Sequence, residues 1–88
     1  MKKWKKIGVH KWIKDANITE SVLVEDGECQ QHRFTATICG WNNFHIWQGK
    51  THNTSMKERT DQIIKRVSVI RDRIISGDES VFSEKGAW

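Results

Sequence analysis

Apolar and polar positions change their period once along this chain, close to residue 55. Before that point apolar residues recur in twos. Ile18-Thr19-Glu20-Ser21-Val22-Leu23-Val24, the run from Cys29 to Gly40, and Phe44-His45-Ile46-Trp47-Gln48 are rich in β-branched and aromatic residues, which fit a pleated, half-buried surface. Asp26-Gly27 separates the first two runs and is a strong hairpin signal, because a two-residue turn with positive φ at both positions favours Asp followed by Gly. Asn42-Asn43 is the candidate turn between the second run and the third. Together they predict an antiparallel meander over residues 16–50. The segment from Ile7 to Ile13 alternates more weakly, so residues 1–14 form either a fourth strand at the sheet edge or a basic arm.

After residue 55 the period lengthens. Met56, Thr60, Ile63, Val67, Ile70 and Ile74 recur at steps of four and three, which places them on one face of a helix spanning residues 55–76. Thr54 or Ser55 supplies the N-cap, Ser55-Met56-Lys57-Glu58 has the form of a capping box, and Gly77 stands where a helix-ending residue of positive φ belongs. Residues 78–88 carry Val81, Phe82 and Trp88, expected to pack back on the fold. The fold class that follows is α+β: an antiparallel meander of three strands, or four with the edge strand, followed by one long C-terminal helix packed on one sheet face.

A two-residue turn at Asn42-Asn43 also sorts side chains between the sheet faces. Trp41 then pairs with Phe44, Cys39 with Ile46, and Ile38 with Trp47. Phe34, Ala36, Ile38 and Trp47 share one face; Cys39, Trp41, Phe44 and Ile46 share the other, beside Arg33, Thr35 and Thr37. One helix covers one face, which leaves an exposed aromatic patch of the kind that marks binding surfaces unless the N-terminal segment or a second subunit covers it.

With 88 residues the chain is bounded to one small domain. No apolar run approaches the roughly 18 residues of a membrane span, and the Lys-rich start is not followed by the apolar stretch of a secretory signal. A cytoplasmic protein with no membrane partner is the expectation. Cys29 and Cys39 are ten residues apart in one extended run, which holds the sulfurs too far apart for a disulfide and makes reduced thiols the default. The sequons Asn17-Ile18-Thr19 and Asn53-Thr54-Ser55 carry no meaning without secretion.

The formal net charge is +4, but its blocks say more: residues 1–14 hold six lysines and no acid, and residues 15–30 hold five acids and no base. These blocks predict a two-toned surface, or a basic segment lying against the acidic one within the monomer. Cys29, His32, Cys39, His45 and His52 are zinc-type donors, yet their spacing matches no paired ligand pattern, so neither a metal nor another cofactor is expected. The same hairpin register separates Cys39 from His45, and no phosphate-binding loop or nucleophile elbow occurs, so an enzyme is not the expectation.

The candidate binding surface starts with the N-terminal segment. Lys3, Lys5, Lys6 and Lys11 interleave with Trp4 and Trp12, and lysines neutralise phosphates while indoles stack on unpaired bases. Arg59, Arg66 and Arg73, spaced by sevens, fall on one side of the helix and could track a phosphate backbone. Arg33, Trp41 and Phe44 are the sheet residues of the same surface. Strands followed by Ile46-Trp47-Gln48-Gly49-Lys50-Thr51 and a helix resemble, in architecture, the small DNA-binding domains of integrase-arm type. That resemblance implies reading of the major groove by basic and aromatic sheet residues, here Arg33 and Trp41.

The leading expectation is therefore a small non-enzymatic accessory or regulatory protein that binds nucleic acid through its Lys/Trp segment and exposed sheet aromatics. Its size suits a bacterial or phage-encoded regulator. The alternative is a protein–protein module, an inhibitor or adaptor that binds a partner enzyme through the same surface. The helix stripe also fits an a/d seam, so monomer and homodimer both stand open.

Overall fold

In a computed structural model, which describes residues 2–50 and 55–83, the chain forms four strands and two helices. They are β1 (Lys3–His10), β2 (Ala16–Glu25), β3 (Glu28–Ile38), β4 (Trp41–Gly49), α1 (Met56–Ile75) and the short α2 (Ser80–Ser83). The strands make one antiparallel sheet in the order β1-β2-β3-β4. The α+β architecture matches the expectation, with the fourth strand present at the edge, and α1 packs on one face of the sheet against β3 and β4. Thr51, His52, Asn53, Thr54 and Trp88 lie outside the described residues.

The β2–β3 and β3–β4 hairpins each close on two residues of positive φ, Asp26 (53°) with Gly27 (80°) and Cys39 (52°) with Gly40 (85°). Positive φ at both central positions marks the turn whose twist matches that of the flanking strands. The second turn is a correction. It lies at Cys39-Gly40, and Asn42 and Asn43 belong to β4. Gly40 takes the conformation a side chain resists, so the turn forms there.

Two irregularities in the β3–β4 ladder then decide which β4 side chains are buried. Ile38 pairs with Trp41 and Ala36 with Phe44, so Thr37 faces two residues of β4. The extra residue turns Phe44 onto the face of Ala36 and Ile38. A second extra residue, Ile46, falls between His45 opposite Thr35 and Trp47 opposite Phe34, so neighbouring side chains both reach the core. Phe44 and Ile46 are accordingly 0% exposed. The expected sharing of an outer face by Cys39, Trp41, Phe44 and Ile46 is overturned by these bulges.

The core lies between this sheet face and α1: Ile18, Phe34, Ala36, Ile38, Phe44 and Ile46 meet Ile63, Val67 and Ile70, and Val81 of α2 closes one end. Ser55 caps α1, its Oγ accepting from the Glu58 N–H at 3.1 Å. At the other end the Gly77 N–H donates to the Ile74 carbonyl and the Asp78 N–H to the Arg73 carbonyl, with Gly77 at φ 83°. The helical stripe differs from the expected one at its start: Met56 is exposed, and Arg59 takes the buried place in the first turns. Because Ile63, Val67 and Ile70 are core, these positions of the stripe are occupied within the chain.

Candidate functional site

Register sorts the remaining polar side chains between the two faces. On the face away from α1, successive rows across the sheet bring together Trp4, Leu23 and Gln31; then Lys6, Ser21, Arg33 and Gln48; then Val9, Thr19, Thr35 and His45. Among the described residues no helix covers this face, and these rows hold no acidic side chain.

Arg33 sits near its middle, the guanidinium carbon 4.0 Å from the centre of the Trp4 ring. The stack fixes a planar cation and covers one side of the indole. Among the described residues Arg33 has no hydrogen-bond or ion-pair partner, and its Nε has no exposed surface. Gln48 Nε2 donates to Gln31 Oε1 at 2.9 Å and His45 Nε2 lies 3.2 Å from Gln48 Oε1, so the β3–β4 half of the face is tied by amide and imidazole contacts. Thr37 donates to Asn42 at 2.9 Å at its far end.

Glu25, Asp26 and Glu28 gather at the β2–β3 turn, while Lys11 and Lys14 line a groove with Asp15, Asn17 and Thr37 at the opposite end of the sheet. Lys2 lies 3.9 Å from Glu25. Lys3, Lys5, Lys6, Lys11 and Lys14 have no ion-pair partner among the described residues. The basic segment thus lies beside the acidic strand, but its charge is cancelled at one lysine only.

The other expected site residues are not brought to this face. Lys3 and Lys5 stand opposite Val24 and Val22, on the helix side. Trp12 follows β1 and stacks on His10 at 4.3 Å. Trp41, 51% exposed, lies against Phe82 of α2 at 4.5 Å, also on the helix side. Phe44 is buried and is removed from the candidate surface. The three arginines spaced by sevens do not form a free basic stripe. Arg59 is 6% exposed, with its guanidinium carbon 5.6 Å from the Trp47 ring centre; Arg66 Nη1 donates to the Ile46 carbonyl at 2.6 Å; Arg73 donates to Asp78 at 2.9 Å and to Ser80 at 2.8 Å. The seven-residue spacing that aligned them with each other also aligned them with the core-facing side, where each found an internal contact.

A polar cluster that sequence reading missed lies on the helix side. Glu20 accepts from His10 Nε2 at 2.8 Å and from His32 Nδ1 at 2.9 Å, one nitrogen to each carboxylate oxygen. An ionised carboxylate carries no proton, so His10 holds its hydrogen on Nε2 and His32 on Nδ1. The two nitrogens grip different oxygens and do not converge on one point, and among the described residues no group of side chains could hold a metal ion. The signal was present: His10 and His32 both face Glu20 once β1 is a strand. Beside this cluster is a cleft of about 110 Å³ lined by His10, Trp12, Glu20, Phe34, Met56, Arg59 and Thr60. Arg59 Nη1 has no partner and no exposed surface, an arrangement that costs about 1–3 kcal/mol for a neutral donor and more for a charged one.

Burial raises the Glu20 pKa, but the hydrogen bonds from His10 and His32, with the charge of the two rings, outweigh it and hold the carboxyl below its ordinary value of 4.5. A depressed carboxyl pKa contributes stability that is fully present above the unfolded value and is lost as pH falls through the folded one. Glu20→Gln should therefore cost about 1–2 kcal/mol at neutral pH. Its deficit against the parent should shrink in urea titrations carried below pH 4.5. A deficit unchanged with pH would mean that the carboxylate charge contributes nothing.

Comparison with family models, with curated proteins and with solved structures finds no match for this chain. Any functional reading rests on the geometry alone.

Proposed function

We propose that this chain binds nucleic acid as a small non-enzymatic accessory protein, using the open face of its sheet. The observation that carries the reading is that Lys6 and Arg33 stand together on that face, without an ion-pair partner among the described residues, among hydroxyl and amide side chains and with no carboxylate in their rows. Cations that find no internal partner are available to phosphates, and Ser, Thr and Gln donors are the usual supplementary contacts to a nucleic-acid backbone. The lysines of the β1–β2 loop extend this charge along one end of the sheet. Arg33 replaces the aromatic side chains as the centre of the surface, because Trp4 lies beneath it and Trp12 and Trp41 stack elsewhere. Against an enzyme stands the separation of Cys39, in the turn, from His45, six residues on along β4.

The test is a fluorescence titration with duplex and single-stranded oligonucleotides at about 50 and then 200 mM salt, a range over which several phosphate contacts cost orders of magnitude in affinity. The expected result is saturable binding that weakens steeply with salt, with the duplex bound at least as tightly as the single strand, since among the described residues the indole on the open face, Trp4, has one side covered by Arg33. No binding at the lower salt overturns the proposal. A second reading, a protein-binding module, is favoured by one observation: Trp41 remains half exposed beside Phe82, on the sheet face opposite Lys6 and Arg33. Such a site predicts a partner held with little salt dependence and released by Trp41→Ala.

A further inference from the structure

The helix-side cleft is built differently from the open sheet face and points to a different ligand. Its inner wall is Arg59, nine-tenths buried, with Nη1 unpartnered and out of reach of water. Glu20 lines the same cleft, its oxygens bonded to His10 and His32, and makes no hydrogen bond or ion pair to Arg59. The rest of the wall is largely aromatic, from Trp12 and Phe34, whose ring centres are 6.4 Å apart. Met56, the first residue of α1, also lines the cleft and is 73% exposed. The capped N-terminus of a 20-residue helix lies beside it, and a helix start adds positive potential at its first turn.

We propose that this cleft binds a carboxylate on a short apolar stem, the carboxylate reaching the unpartnered Nη1 of Arg59 as Met56 moves aside and the stem lying against Trp12 and Phe34. Three properties select that chemistry. A guanidinium fork matches a planar carboxylate in two parallel hydrogen bonds. The cleft is small, about 110 Å³, which suits an acid of the size of acetate or propionate. Aromatic walls favour an organic anion over a fully hydrated inorganic one. Met56 is the lining side chain most able to swing aside and admit the ligand, being unbranched and mostly exposed. The carboxylate belongs either to a free small acid or to an acidic side chain of a peptide.

Propionate, inorganic phosphate and a blocked single-glutamate peptide would be titrated separately into the full chain, at constant ionic strength. Trp12 fluorescence and the methyl NMR signal of Met56 supply the readouts. The expected result is a saturable change at both probes with propionate, at least about tenfold weaker in Arg59→Gln because a charge-assisted hydrogen bond is lost. Phosphate should produce no saturable change. Response to the peptide as well as to propionate assigns the site to acidic side chains, and response to propionate alone assigns it to a free acid. Should Arg59→Gln not fold, Trp12→Ala removes part of the apolar wall at an exposed position and should weaken propionate binding while leaving the fold intact. Absence of saturation with every carboxylate, or equal binding by the parent and both variants, overturns the proposal. Nucleic-acid binding at the open face is untouched by either outcome.

Discussion

Phe44→Ala is expected to remove a large share of the chain's stability. The ring is 0% exposed and is among the largest fully buried side chains. Truncating a buried Phe to Ala costs about 3–5 kcal/mol through lost transfer free energy and the cavity left behind. A chain of 88 residues has about 4–13 kcal/mol in total at typical values per residue, so that loss takes from about a quarter to all of the margin. The expected urea curve shows a midpoint shifted far down, or no folded baseline. Thr35→Ala, on the opposite face of the neighbouring strand, serves as the control and should change the midpoint little. A Phe44→Ala variant as stable as its parent would place Phe44 on the open face, and would mean that the bulge between Ala36 and Ile38 does not form.

Reversing charge on the open face should act on affinity and leave stability nearly alone; reversing it on the helix should do the opposite. Arg33→Glu puts a carboxylate where the proposed phosphate contact lies, and Lys6→Glu does the same one strand-pair away. Each should weaken oligonucleotide binding by at least about tenfold at low salt and flatten the salt dependence by about one unit of slope. Arg66→Glu and Arg73→Glu remove internal contacts: the bond from Arg66 to the Ile46 carbonyl, and the links from Arg73 to Asp78 and Ser80 that tie α2 to the end of α1. Their expected signature is a lowered melting temperature with the affinity of the remaining folded protein retained. Measuring Tm and Kd on all four variants separates the two effects. Equal affinity loss from Arg66→Glu and Arg33→Glu, at unchanged Tm, would return the binding surface to the helix.

The helix and its ends were legible because each signal is local. Ser55 and Glu58 are three residues apart, Gly77 follows the last turn, and the apolar steps of three and four need no knowledge of the partner surface. The first hairpin was equally local, at Asp26-Gly27. The second was not. Cys39-Gly40 competes with Asn42-Asn43 on turn composition, and the choice is made by what the later residues bury: only with the earlier turn and two bulges do Phe44, Ile46 and Trp47 all reach the core. A period-of-two reading has no place for an extra residue, so it put Phe44 outside. Burial of Arg59 was hidden for a related reason, since a charged side chain on the core-facing side of a helix looks like the edge of a solvated face until Trp47 is known to lie opposite it. The pairing of Glu20 with His10 and His32 required three strands in register, which no single segment contains.

Each strand of this sheet pairs only with its neighbours in the chain. Zipping outward from the Asp26-Gly27 turn therefore closes short loops at every step, and little entropy is lost to long-range searching. The same order makes the two ends of the sheet unequal. β4 is clasped by α1, whereas β1 is held by its ladder to β2, by the His10 clamp on Glu20 and by the Trp4–Arg33 stack. Such a strand opens at a lower free-energy cost than the body it leaves. The proposed binding face is thus half rigid and half hinged: Arg33 stands on the firm part, and Trp4, lying against its guanidinium, rides on the strand that lifts first.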